Sequence, residues 1–141
     1  MRVIFITSIT GWTAFILIAI EILLPYLVRR NRLSLWLGTT RIGAGVPYLK
    51  RMWPHYWMGY LLVLLSLVHT IVPMQAGGLR GMNMTGLWFA TGGLLFLVLQ
   101  SAIGLSLQDS AITQRALARS WHYWLMFGVV GLVVVHVWLN G

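Results

Sequence analysis

Four long apolar runs, separated by three short polar stretches, decide what this chain can become. They cover about residues 3–28, 54–72, 85–107 and 111–140. About 20 apolar residues are enough to cross a bilayer core as a helix. In lipid no water satisfies the backbone, so each segment must make its own hydrogen bonds and coils into a helix. Only 9% of the 141 residues are charged and 59% are hydrophobic, against about 25% charged in soluble domains. The expectation is an all-α, transmembrane four-helix bundle, up-and-down, forming a single domain over residues 1–141. Four spans use up this length and leave no room for a flavin or nucleotide domain.

Local signals refine the spans. The first run opens just after Arg2 and no small-residue cleavage site follows it, so it reads as a retained span rather than a signal peptide. Pro25 is expected to kink or end its last turn. Pro54 suits the first position of the second helix, and Pro73 is expected just beyond its end. Leu33 to Leu37 could lie on the membrane surface, and Gly38, Gly43, Gly45 and Pro47 break any longer helix there. The third run holds Gly86, Gly92, Gly93 and Gly104, which allow close helix packing in lipid. Asp109 and Ser110 offer cap chemistry for the final helix.

The chain carries 10 Lys and Arg against 2 acids. Because the basic residues lie between apolar runs, membrane topology explains them better than nucleic-acid binding does. Arg29, Arg30, Arg32, Arg41, Lys50 and Arg51 follow the first run, and Arg115 and Arg119 follow the third; only Arg2 and Arg80 lie on the other side. The positive-inside rule then places both termini outside and both basic loops in the cytoplasm, the expected location being a bacterial or archaeal cytoplasmic membrane. The second and fourth spans run in the same direction.

Those two spans hold all 4 histidines. His55-Tyr56-Trp57 is followed by His69, and His122-Tyr123-Trp124 by His136, with fourteen positions between the histidines of each pair. Fourteen helical steps rotate about 1400°, some 40° short of four turns, so both histidines of a copy share a face and differ in height by about 21 Å. Parallel spans therefore match His55 with His122 near the cytoplasmic side and His69 with His136 near the outer side. Ionisable groups inside spans are costly and mark function by default. Neutral imidazole is a good axial ligand for haem iron, and two imidazoles leave no open position, which suits electron transfer. Zinc or copper would want three or four clustered donors, whereas each depth supplies two histidines. The chain has 0 Cys, which excludes iron–sulfur clusters, disulfides and c-type haem attachment within it. The donor set points to two haem b groups.

Two H-x₁₃-H helices separated by one span resemble the di-haem core of the cytochrome b family of quinol:cytochrome c oxidoreductases, and also the transmembrane domain of ferric reductases and NADPH oxidases. The resemblance implies haems between the second and fourth helices, an inner one on His55 and His122 and an outer one on His69 and His136. In the cytochrome b family, glycines fourteen apart on the first and third helices make room for haem. Here Gly11 is matched by Pro25 and Gly104 by Ala90. The further spans and quinol-site loops of cytochrome b, and the flavin and nicotinamide domain of ferric reductases, are absent from these residues.

Other residues take secondary roles. Gly59, Gly128 and Gly131 would let a flat macrocycle approach the backbone, or serve plain helix packing. Arg51, Arg115 and Arg119 lie where they could pair with inner haem propionates, and Arg80 with the outer ones; as positive-inside determinants they are explained equally well. Tyr56, Trp57, Tyr123 and Trp124 read as interfacial belt. Glu21, the one acid well inside a run, is expected to pair with a nearby arginine; its functional reading is proton uptake or a quinone pocket. Asp109 reads as a cap, and the 7 Met residues form no ligand pattern.

The functional expectation is an electron-transfer subunit without an autonomous catalytic site, carrying electrons across the membrane through two bis-histidine haems. Its expected partners are other subunits of a respiratory or quinone-linked complex, with a quinone or a soluble cytochrome as redox partner. An autonomous transmembrane reductase of ferric iron or another external acceptor is the first alternative. A non-redox anchor or metal-binding subunit is the second.

Overall fold

The computed structural model describes residues 2–29, 52–77, 81–109 and 111–140. They form α1 (Arg2–Arg29), α2 (Trp53–Gln75), α3 (Met84–Ser106) and α4 (Arg115–Asn140), with no strand among the described residues. Each is long and apolar enough to cross a membrane, as an integral membrane protein requires. The sites assigned to Arg30, Arg32, Arg41, Lys50, Arg51, Gly78, Arg80 and Ser110 lie outside the described residues, as do Leu33 to Leu37 and the loop breakers Gly38, Gly43, Gly45 and Pro47.

Some helix ends differ from expectation. Pro73 lies inside α2 rather than past it, whereas Pro25 stands near the end of α1, which runs on to Arg29. A proline removes the N–H that would bond the carbonyl four residues back. Pro25 thus leaves the carbonyl of Glu21, and Pro73 that of His69, without its helical donor. The last helix begins at Arg115, later than residue 111. Asp109 closes the turn before it rather than capping it: Asp109 Oδ1 accepts from the Ala111 N–H at 2.8 Å. The Arg115 guanidinium holds the same turn, donating to the carbonyls of Leu107 (3.2 Å) and Asp109.

The outer end of the α3–α4 hairpin is tied by two asparagines. Asn83 caps α3, its Oδ1 accepting from Thr85 N–H at 2.9 Å and Gly86 N–H at 3.3 Å. The backbone N–H of Asn83 donates to Asn140 Oδ1 at 2.8 Å, joining the start of α3 to the end of α4. Asn83→Ala is expected to cost about 1 kcal/mol through the lost cap, read as a lower unfolding midpoint in detergent.

The helices pack as two hairpins, α1 with α2 and α3 with α4, joined mainly through α2 and α3. One residue from each helix meets at mid-depth: Ala14, Leu62, Leu97 and Val129 are buried together. Leu62 stands seven residues from both His55 and His69, and Val129 seven from both His122 and His136. Seven residues rise about 10 Å and return to nearly the same face. A closed apolar layer therefore lies midway between the two histidine levels. Phe5, Leu64, Trp88, Phe127 and Trp138 point outward and are exposed. In water such an apolar girdle would drive aggregation; against lipid tails it costs nothing.

Candidate functional site

The four histidines form two ring pairs. His55 and His122 have ring centroids 6.2 Å apart at 79°, and His69 and His136 have centroids 6.2 Å apart at 82°. Pairing by depth is what the spacing and the parallel course of α2 and α4 require. An imidazole nitrogen bonds a transition-metal ion at about 2 Å and lies about 1 Å from its ring centre, so two rings flanking one ion sit roughly 6 Å apart. Edge-to-face ring packing covers the same range of distances. The hydrogen bonds bear on both readings.

Three of the four rings turn Nδ1 to a backbone carbonyl of the neighbouring helix. His69 Nδ1 is 2.9 Å from Thr7 O, His122 Nδ1 is 3.1 Å from Gln100 O, and His136 Nδ1 is 2.9 Å from Gly86 O. A carbonyl can only accept, so each of these Nδ1 atoms carries a proton, and in the neutral ring Nε2 then keeps its lone pair. In the fourth, His55 Nδ1 faces the Glu21 carboxylate through Oε2. Metal-bound histidines commonly have one nitrogen fixed by an acceptor in this way, and three of these four rings share that feature.

The acceptors repeat the ligand spacing. Thr7 and Glu21 are fourteen apart on α1, Gly86 and Gln100 fourteen apart on α3. They meet the histidines of α2 and α4 in reverse order, the register of antiparallel hairpins. Close approach of each ring needs a small residue one turn beyond the acceptor. Gly11 follows Thr7 and Gly104 follows Gln100, while Ala90 and Pro25 hold the matching places. A Cβ on Gly11 would lie 2.7 Å from His69 Cε1, and one on Gly104 would lie 3.1 Å from His122 Cε1. Thr10 Oγ1, 3.4 Å from His69 Nδ1, adds a weak polar contact to the outer site.

No protein family, curated protein or solved structure matches this chain.

The remaining candidates divide. A Cβ on Gly59 or Gly131 would meet nothing within 4 Å, so both leave open space beside the backbone. Gly128 instead lies against the Phe96 ring, which a Cβ there would approach to 2.5 Å; its bare backbone serves packing of α4 on α3. Arg119 is exposed at the start of α4, one turn before His122. Arg115 is engaged by the turn carbonyls. Glu21 lies against His55; the loop arginines Arg30, Arg32 and Arg51, among which its expected partner falls, lie outside the described residues. Trp57, Tyr123 and Trp124 are exposed, as belt residues are, whereas Tyr56 packs on Leu24 and Met52.

The acceptor carbonyls of Thr7, Gly86 and Gln100 were not singled out from the sequence. A carbonyl has no letter of its own. Only the small residue four positions on, in two places a glycine, hinted at where a ring would rest.

Proposed function

We propose that this chain is the di-haem b-type cytochrome subunit of a membrane redox complex, with an inner haem held by His55 and His122 and an outer one by His69 and His136. The observation that carries the reading is the two histidine pairs, each with 6.2 Å between ring centroids, in which three Nδ1 atoms are held by backbone carbonyls and the fourth, on His55, lies against the Glu21 carboxyl group. Bound haem would supply one-electron iron chemistry at two depths about 21 Å apart. The chain's own residues hold the ligand rings, exclude water through the Ala14, Leu62, Leu97 and Val129 layer, and leave room at Gly59.

The loop charges orient the bundle with the His55 level at the cytoplasmic side and both termini outside. Arg119 is placed to meet an inner propionate with a charge-assisted hydrogen bond. An electron crossing between the two levels works with or against the membrane potential, worth about 2.3 kcal/mol per 100 mV for a full crossing. Donor and acceptor contacts would be made by partner subunits, a quinone or a soluble cytochrome.

The purified chain is expected to show a Soret band, a dithionite-reduced α band of b type, and a pyridine haemochrome count of two haems per chain. A colourless protein sinks the reading, and a count of one sinks the pairing at two depths.

A further inference from the structure

The two sites differ in one respect: what receives the Nδ1 proton. At the outer level both acceptors are neutral backbone carbonyls, Thr7 O for His69 and Gly86 O for His136. At the inner level His122 also uses a carbonyl, that of Gln100, but His55 faces the Glu21 carboxylate. The two side chains are shielded, with 19% of His55 and 11% of Glu21 exposed. The second carboxyl oxygen, Oε1, is buried and has no hydrogen-bond partner among the described residues. His55 Nδ1 is likewise buried without a hydrogen bond of ordinary geometry, so its approach to Oε2 is a close ion-pair contact, and among the described residues this is the one polar contact of the carboxyl group.

We propose that Glu21 lowers the reduction potential of the inner haem relative to the outer one, and so directs electrons from the inner level to the outer level. The proposal rests on the di-haem reading. A carboxylate set against Nδ1 would make the imidazole a stronger electron donor through Nε2 than a carbonyl does. Its negative charge beside the ligand also favours the more positive, ferric state of the iron. Both effects have the same sign, and low dielectric around a shielded pair strengthens the second.

Among the described side chains the opposing charges are weaker; Lys50 and Arg51 lie outside the described residues. Arg119, one turn from His122, favours the reduced state, but it is exposed at the helix start and screened by water and salt. Arg115 is spent on the Leu107 and Asp109 carbonyls. The chain has only 2 acids, and Asp109 lies beyond the end of α3, so the outer ligands have no carboxylate to match Glu21. Haem bound at both levels would supply one-electron exchange, one site losing the electron that the other gains, and Glu21 would bias that exchange toward the His69–His136 level.

The test is a redox titration of the full-length chain in detergent, followed at the α band, in wild type and in E21Q, E21D and E21L. A His69→Ala chain, keeping only the inner haem, assigns the waves. The inner wave is expected below the outer one in wild type. E21Q keeps an acceptor oxygen and removes the charge. At fixed ambient potential it should raise the inner haem's reduced-to-oxidised ratio at least tenfold, about 59 mV for one electron, and leave the outer wave in place. E21D, which keeps the charge, should stay close to wild type. In E21L the ring can fall back on the residue 21 carbonyl freed by Pro25, and the shift should have the same sign as in E21Q. An inner wave that lies above the outer one, or that E21Q leaves unmoved, overturns the proposal. Loss of the inner haem from E21Q and E21L alike also overturns it, since Glu21 would then be needed for ligation itself. A wild-type chain without haem would instead overturn the di-haem reading.

Discussion

His136→Ala is expected to remove one haem of two, the outer one, and to leave the inner haem at wild-type occupancy. The ring of His136 is paired with His69 at 6.2 Å and with no other histidine. Alanine offers no donor, so the outer iron would lose one of two protein ligands, and the site would gain a gap the size of an imidazole. The cost to the fold is small by comparison. The Gly86 carbonyl that received the His136 proton also lies within α3, where the helical ladder continues to satisfy it. Pyridine haemochrome analysis should fall from two haems per chain to one. His69→Ala should give the same residual spectrum and the same residual redox wave, because it empties the same site. His55→Ala and His122→Ala should each leave the complementary haem. If His69→Ala and His136→Ala remove different haems, the pairing by depth is wrong, whatever the total count.

Much of this arrangement is visible in the residue order, for physical reasons. Helix in lipid is forced by backbone hydrogen bonding, so four apolar runs become four helices with ends displaced by only a few residues. Fourteen positions nearly close four turns, so the levels of His55 with His122 and of His69 with His136 follow once α2 and α4 are parallel. What the residue order hides is the partner of each Nδ1. Three partners are main-chain carbonyls, which every residue has, and their choice depends on the register between neighbouring helices. That register is set by side-chain packing at positions such as Ala14 and Leu62, for which no local pattern exists. Glu21 shows the same limit from the other side. Its presence inside a span signals a function, yet whether it faces an arginine, a cavity or His55 is decided by the rotation of α1 against α2.

The clamp of Asn83 on Asn140 was also illegible, since each asparagine reads alone as a helix-end residue. Their contact depends on α3 and α4 having matching lengths. It closes the hairpin next to Gly86, whose carbonyl receives the His136 proton. The His69–His136 pair therefore lies at a helix end held by a polar clamp, while the His55–His122 pair leans on the Glu21 carboxyl group within the span. The same ligand spacing is supported by two different devices, which is why the two levels need not behave alike.

Gly11→Val is expected to abolish haem binding at the outer site although Gly11 supplies no ligand. The His69 ring rests on the Gly11 backbone: a Cβ there would lie 2.7 Å from Cε1, 3.1 Å from Nδ1 and 3.5 Å from Nε2. Those three atoms belong to one stiff ring, so they cannot give way separately. The ring is held at Nδ1 by the Thr7 carbonyl, one turn before Gly11 on the same helix. It can escape a Cβ only by breaking that bond or by moving away from α1, and either change spoils the approach of Nε2 to the iron. Overpacking of this kind costs about 1–3 kcal/mol for a small addition, or about fivefold to 150-fold in affinity. Gly11→Ala should therefore weaken outer haem binding by that range, and the branched valine should exceed it. Gly104 supplies the comparison, because its Cβ would stop 3.1 Å from His122 Cε1. Gly104→Ala should retain the inner haem with a shifted spectrum and a smaller loss of occupancy. If Gly104→Ala proves the more damaging of the two, the rings do not lie against α1 and α3 in the register that places Thr7, Gly86 and Gln100 as acceptors.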